Sequence, residues 1–408
     1  MQNLKKMKIH TILLIVFILL MAIYQFALYF NSPWESGFKN VHQVANNNIL
    51  IKSFPFFSFA ILLFFTILIL FEGKKYPSKI LIPVITLIIF GIFWVGYSIL
   101  YNGISITLLI RSNMGPTLMF LPILVMVGYK NYWWKIIKKT ISILSILATF
   151  YAFYECLNSF YLFGFSYRIT YGAPMYVYTL GLYTTYGVIT FTDDWLKKSK
   201  ALYFIVLIML VFNSAILQGR SWFIQTIILF IIYTMRVRNN FKKFSFQKIF
   251  LPFMIVFSVF IVLIMNVELL YGLIDRFLNS GDTRTNQLKT FFDQVSMGEL
   301  LIGQGIYASY SFNGDPNFKF IDNQVLLFSF KYGAIPTLMY CILFLYPIFK
   351  SIFLRNKKLM LKSIVLMSWF AAMLGLSVFF NITFNLVHSL VLMLVGRLFY
   401  EIETSQKV

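Results

Sequence analysis

Five of the nine arginines in this chain, Arg111, Arg168, Arg220, Arg276 and Arg284, stand at junctions between apolar runs and the segments that connect them. A guanidinium stays charged in any surroundings, and its fork of donors suits bidentate binding of phosphate or carboxylate. Anchoring a helix end to lipid headgroups is the structural alternative for any one of them; five clustered at loop–helix junctions point to binding. A hydroxyl nucleophile needs somewhere to send its proton, and a carboxylate within hydrogen-bond reach is the simplest base. Asp322 is the first choice, with the alternative that it caps an apolar run starting at Asn323. Glu155 and Glu268 lie at the ends of apolar runs, where they suit pairing with arginine. Lys331, two turns into its run, must line a cavity, pair with an acid, or snorkel to an interface. Cys156 and Cys341 fall inside apolar runs and His10, His42 and His388 are scattered, so neither a disulfide framework nor a metal site is expected, and no cofactor is expected. His388 reads as a hydrogen-bonded helix residue.

The elements that must position these residues are transmembrane helices. Of 408 residues, 59% are hydrophobic and 12% charged, too apolar for a soluble domain of this size. A hydrocarbon core of about 30 Å needs roughly 20 apolar residues per helix. Such runs fall at 11–30, 54–72, 80–100, 114–129, 140–158, 173–192, 201–218, 221–235, 249–268, 323–349, 363–380 and 382–400. The expected fold is all-α: one polytopic membrane domain over 1–408 with about twelve transmembrane helices. The first run follows Lys5, Lys6 and Lys8 like a signal peptide, but it is too long and lacks a small-residue cleavage site, so it reads as a retained helix.

A net charge of +21 would suggest a nucleic-acid partner in a soluble protein. The spans remove that inference by sorting the charges. One side collects 25 cations and five acids, the other nine cations and nine acids. The excess is therefore the positive-inside signal, and it places both termini in the cytoplasm. Inside, 21 of the cations are lysine; outside, five of nine are arginine, so arginine is enriched where cations are scarce. Trp133, Trp134 and Trp195 read as belt residues of the inner interface.

One connection is long. Residues 269–322 form an external loop between the ninth and tenth helices that carries ten of the charged residues. Within it, 284–297 has helical spacing of Leu288, Phe291, Phe292 and Val295, which predicts an amphipathic helix on the outer surface. Gly298, Gly303, Gly305 and Gly314 mark turns. The apolar stretch Ile104 to Ile110 is too short to span and suggests a re-entrant segment. The run 114–129, with Pro116 and Pro122, and the Tyr-, Thr- and Gly-rich run 173–192 are candidate cavity walls.

The chain here resembles the Wzy-type polysaccharide polymerases and the related O-antigen ligases. The resemblance rests on Gly219-Arg220-Ser221 opening a helix, Arg284 in a large external loop, and Leu301-Ile302-Gly303-Gln304-Gly305. Asp322-Asn323 follow, with Gly333 behind nine intervening residues. It implies a GT-C-like, metal-independent glycosyltransferase at the outer face of the bacterial cytoplasmic membrane. Such an enzyme extends a glycan held on polyprenyl pyrophosphate to make O-antigen, capsule or exopolysaccharide. Pyrophosphate is a good leaving group, so the protein has mainly to stabilise developing charge and orient an acceptor hydroxyl. By position in the motif, Arg220 and Arg284 take catalytic roles with Asp322. Arg168 joins them at the pyrophosphate or sugar, with Arg276, Arg111, Asn323 and Lys331 as further substrate contacts and Gly303, Gly305 and Gly333 as the loop motif. The implied partners are the lipid-linked oligosaccharide, membrane lipid, and a chain-length regulator and flippase of the same pathway.

Ligases of the group usually carry His-Asn where this chain has Asp322-Asn323, a departure that favours the polymerase. A lipid-linked oligosaccharide flippase or other transporter is the remaining alternative. Those proteins typically keep external loops short and charges near the midplane, and many are built from repeats, of which this sequence shows none.

Overall fold

The computed structural model describes residues 2–30, 49–72, 76–111, 115–163, 187, 200–216, 225–228, 285–354, 356–374 and 386–406. In these the chain is almost wholly helical. The elements are α1 (Gln2–Phe30), α2 (Ile49–Phe71), α3 (Ser78–Leu100), α4 (Ile106–Arg111), a 3₁₀ turn (Pro116–Phe120), α5 (Ile123–Tyr129), α6 (Asn131–Phe163) and α7 (Lys200–Ile216). They continue as α8 (285–294), α9 (Met297–Ile302), the hairpin β1 (Tyr310–Phe312) and β2 (Asp315–Phe318), α10 (Gln324–Tyr332), α11 (Ala334–Phe353), α12 (Lys357–Met373) and α13 (Leu386–Gln406). The sequence reads as one membrane domain; the fold divides the chain into two compact units. One holds residues 1–25, 48–137 and 285–408, the other 26–47 and 138–284.

Four helical stretches among the described residues are long and apolar enough to cross a bilayer: Ser53–Phe71, Ser78–Leu100, Asn131–Tyr154 and Ala334–Phe353. Shorter apolar helices cover Ile9–Ile23, Pro116–Tyr129, Ile205–Ser214 and Leu359–Met373. The protein is membrane-embedded. On α3 the buried stripe Ile80, Val84, Leu87, Gly91, Trp94 and Ser98 recurs at helical spacing. The opposite face is apolar as well, with Ile82, Ile89, Ile92 and Phe93 exposed, where a water-facing helix would be polar. Most of 173–192, 221–235 and all of 249–268 lie outside the described residues.

Two expected spans are corrected. The run 114–129 is not one helix: Pro116 opens a 3₁₀ turn, and Pro122, which has no backbone N–H to give, starts α5 only afterwards. The run 323–349 is two helices, because Gly333 at φ +93° ends α10 and starts α11. The crossing helix therefore begins at Ala334, and α10 with Lys331 lies outside it. Of the segment 104–110, α4 supplies a single short helix with Leu109 and Ile110 buried and Ile106 and Leu108 exposed.

In the larger unit, α5 and α13 form the tightest crossing. A Cβ on Gly128 would lie 1.9 Å from the Met393 carbonyl oxygen, and one on Gly396 would lie 1.8 Å from that of Val125. Only glycine allows backbones so close, the small-residue packing that membrane helices use in place of a hydrophobic driving force. Helices α3 and α11 run antiparallel, pinned near one end by Lys79 and Tyr346 and near the other by Trp94, whose Nε1 donates to the Tyr332 carbonyl at 3.2 Å. The first of these ends is rich in lysine and ion pairs. There Glu72 pairs with Lys130, the Tyr129 hydroxyl donates to Glu403 at 2.5 Å, and Lys362 and Arg397 both bond Glu401. Burial works against the Glu401 carboxylate, but those two cations hold it below the usual range. Within the apolar packing, His388 is buried between Tyr340 and Trp369; the indole donates to Nδ1 at 3.3 Å and Nε2 meets the tyrosine hydroxyl.

In the smaller unit, three buried hydroxyls return to their own helices. Ser142 donates to the Lys138 carbonyl at 2.6 Å, Thr149 to Ser145 at 2.7 Å, and Ser214 to Val211 at 2.8 Å, which satisfies them in apolar surroundings. Gly187 lies against α6, where a Cβ would fall 2.1 Å from the Ser145 hydroxyl.

Candidate functional site

At the end of the larger unit away from the Glu72 and Glu401 ion pairs, residues 285–333 fold into one body. Helix α8 and the bend that follows it bury Gln287, Phe291 and Val295, spaced by four, while Leu288 is half-buried and Phe292 is 52% exposed. The expected apolar face is thus turned, and a glutamine takes the place of a hydrophobe in the buried stripe. The reason is backbone: Gln287 Nε2 donates to the Phe320 carbonyl and its Oε1 accepts from the Asp322 N–H, both at 3.2 Å. Seven residues on, Gln294 does the same for the hairpin, donating to the Ser311 carbonyl at 2.9 Å and accepting its N–H at 2.8 Å. Phe291 fills the space between, with its ring 5.2 Å from Tyr310 and 5.1 Å from Phe330.

The next turn ends α8 and starts α9. Ser296 and Glu299 form a reciprocal capping box, each side chain taking the other's backbone N–H, a pattern that Ser-x-x-Glu encodes directly. Helix α9 stops at Gly303, φ +90°. Beyond it, Gln304 N–H donates to the Phe330 carbonyl at 2.8 Å and Gly305 N–H to that of Lys331 at 2.7 Å. The Ser329 hydroxyl adds a bond to the Leu300 carbonyl at 2.9 Å. The loop-motif glycines therefore meet. A Cβ on Gly303 would lie 2.6 Å from the Gly333 nitrogen, one on Gly333 would lie 2.6 Å from the Ile302 oxygen, and Gly305 sits against the Trp94 ring.

The hairpin turns on Asn313 and Gly314, both at positive φ, the two-residue turn that matches strand twist. Tyr310 in β1 is buried and its hydroxyl donates to the Phe320 carbonyl at 2.9 Å. Burial pushes this hydroxyl up to about 12, opposed by the Gln287 hydrogen bond and aided by the Asp322 charge. Asp322 thus lies beside Tyr310 and Gln287, half-buried at the mouth of α10. The capping alternative is settled at its neighbour: Asn323 Oδ1 accepts the Leu326 N–H at 3.0 Å, so Asn323 is the N-cap and helix α10 begins at Gln324. Asn323, expected as a substrate contact, has its carbonyl committed to that bond.

Lys331 is 5% exposed on the inner stripe of α10. Burial, with the charge of Lys319 nearby, lowers its ammonium to about 8. Among the described residues no carboxylate pairs with it. Lys319 itself lies exposed over the Tyr307 ring, 5.1 Å from its centroid. Arg168, Arg220, Arg276 and Arg284 lie outside the described residues, as do Gly219 and Ser221; Arg111 ends α4 and its side chain is not described. Among the described residues no group of three or more metal-ligating side chains occurs. Gln287 and Gln294 were not singled out by sequence; the available signal was a glutamine four residues before Phe291, in phase with Val295.

No family model, curated protein or solved structure matches this chain.

Proposed function

We propose that this protein is a membrane polysaccharide polymerase of the Wzy type, with about twelve spans, a GT-C-like architecture and both termini cytoplasmic. It joins polyprenyl-pyrophosphate-linked oligosaccharide units into a surface polysaccharide at the outer face of the cytoplasmic membrane. One observation carries the reading. The separated motif pieces, Gly303-Gln304-Gly305, Asp322-Asn323 and Gly333, lie on one body at the end opposite the Glu72 and Glu401 ion pairs. Arg284 immediately precedes helix α8, whose Gln287 holds the Asp322 backbone.

In the reaction, an acceptor hydroxyl attacks the anomeric carbon of the donor sugar. The bond from that carbon to the pyrophosphate oxygen breaks, and polyprenyl pyrophosphate leaves with the electron pair. Asp322 takes the hydroxyl proton, and Arg220, Arg284 and Arg168 stabilise the charge that develops on the leaving group.

Arg284→Ala and Arg220→Ala should leave the protein in the membrane but stop chain extension, so that single lipid-linked repeat units accumulate on the outer leaflet. Lysine at either position should rescue poorly, because the bidentate contact is lost. Wild-type polymer lengths in both alanine variants would sink the proposal, and repeat units trapped on the inner leaflet would indicate a flippase instead.

A further inference from the structure

Helix α9 turns an uncharged, exposed face away from the body that it belongs to. At about 100° per residue, Met297, Leu301 and Ile302 share an arc of roughly 140° with Gly298, while Glu299 and Leu300 lie outside it. The three apolar side chains are 73%, 62% and 75% exposed, whereas Leu300 is buried. The backbone beneath them is met from within the protein. The capping box serves the first turn, the Gly303 N–H returns to the Glu299 carbonyl, and the Ser329 hydroxyl donates to the Leu300 carbonyl. Hydrocarbon can touch only backbone that is satisfied in this way. The hairpin of the same body differs, with Asn313, Asp315 and Asn317 exposed.

Continuity and depth say what covers this face. A Cβ on Gly333 would lie 2.6 Å from the Ile302 carbonyl oxygen and 2.8 Å from that of Leu301. The end of α9 therefore abuts the start of α11, which is long and apolar enough to cross a bilayer. In the first turns of α11 the exposed residues are Ile335 and Leu338, so the apolar surface of the crossing helix runs on to Leu301 and Ile302. The turn that closes α9 also lies low. Gly305 sits against the Trp94 ring, and Trp94 is bonded to the Tyr332 carbonyl. Trp94 precedes the end of α3 at Leu100 by about 9 Å of helix axis, which sets this turn below the end of a crossing helix. We propose that α9 is inserted in the membrane, with Met297, Leu301 and Ile302 in the hydrocarbon of the leaflet at this end of the molecule. The partner is acyl chain and not headgroup, because the arc carries no charge to meet a phosphate. Inserted there, α9 holds the 285–333 body down on the bilayer surface, whatever reaction the protein carries out.

The full unsubstituted chain tests this in nanodiscs of phosphatidylcholine that carries a diazirine on its acyl chain. Photolysis and peptide mass spectrometry should find adducts on Met297, Leu301 or Ile302, as on Ile335 and Leu338, and none on residues 313–317. Adducts on Ile335 and Leu338 with none on residues 297–302 would overturn the proposal. Spin labels give an independent reading in a background of Cys156→Ser and Cys341→Ser. Labels at Leu301→Cys and Ile302→Cys should behave like one at Leu338→Cys. Their ratio of collisions with oxygen to collisions with a polar nickel chelate should exceed that at Asn317→Cys on the order of tenfold, because hydrocarbon excludes the chelate. A ratio equal to that at position 317 would put α9 in water, and few collisions with either reagent would put it against another protein. Either result overturns the assignment.

Discussion

Gly333 shows what a single residue decides here. It ends one helix and begins another at φ +93°, and its missing side chain admits the Ile302 carbonyl. Both demands exclude a Cβ. Gly333→Ala should therefore cost about 2–4 kcal/mol, since backbone strain and a backbone clash add. Gly314 has a similar φ, +81°, but open space around it, so Gly314→Ala should cost only about 1–2 kcal/mol. Thermal unfolding of the two variants in detergent checks the difference; equal losses would mean that φ alone, not the contact with Ile302, requires glycine at 333. That these glycines mark turns is legible in the sequence. That Gly303 and Gly333 mark the same place, 30 residues apart, is not, because nothing local encodes which backbone a glycine must admit. Gln287 was illegible for a related reason: its value lies in two backbone groups more than 30 residues downstream.

At the scale of elements, caps divide the labour between neighbouring residues. Asn323 holds the first turn of α10, while the Asp322 N–H donates to Gln287 at the mouth. Asn323→Ala should lose about 1 kcal/mol of stability. Asp322→Asn is isosteric and keeps the backbone N–H that Gln287 accepts, so stability should change by no more than about 1 kcal/mol. The same change should slow polymerisation by at least about 10²-fold if the carboxylate is the base. Thermal unfolding and an in vitro extension assay on both variants separate the roles; an Asp322→Asn variant that extends normally would leave the base elsewhere. Sequence spacing placed a helix over 284–297 and marked Gly314 as a turn, but it turned the helix face wrongly. A period of 3.6 locates a stripe from apolar residues, and Phe292, apolar yet exposed, misled it. The break at Gly333 was hidden for the opposite reason: apolar residues run on both sides, and hydropathy does not register a φ angle.

For the molecule as a whole, the larger unit is held by two different kinds of contact. One end is tied by ion pairs among Lys130, Glu72, Lys362, Arg397 and Glu401; its interior depends on the α5–α13 crossing at Gly128 and Gly396. Gly396→Ala should sharply reduce the amount of folded protein recovered from membranes, since a Cβ there cannot coexist with the Val125 carbonyl. Gly96→Ala, a position with open space around it, should not. Size-exclusion profiles of the detergent-extracted variants check this, and a normal Gly396→Ala profile would show that the crossing can open. The sequence by itself determined that this is a membrane protein, where its charges fall along the chain, and which residue types could handle phosphate and a proton. Those properties add up along the chain, and hydropathy and charge are read from it without knowing any contact. Only the tertiary structure decided that the loop glycines dock on the end of α10, that Asn323 rather than Asp322 caps it, and that Lys331 is buried. Each of these depends on a partner brought from elsewhere: Gly303 against Gly333, Gln287 against Asp322, Trp94 against Tyr332. Such pairings are set by packing, which no local pattern records.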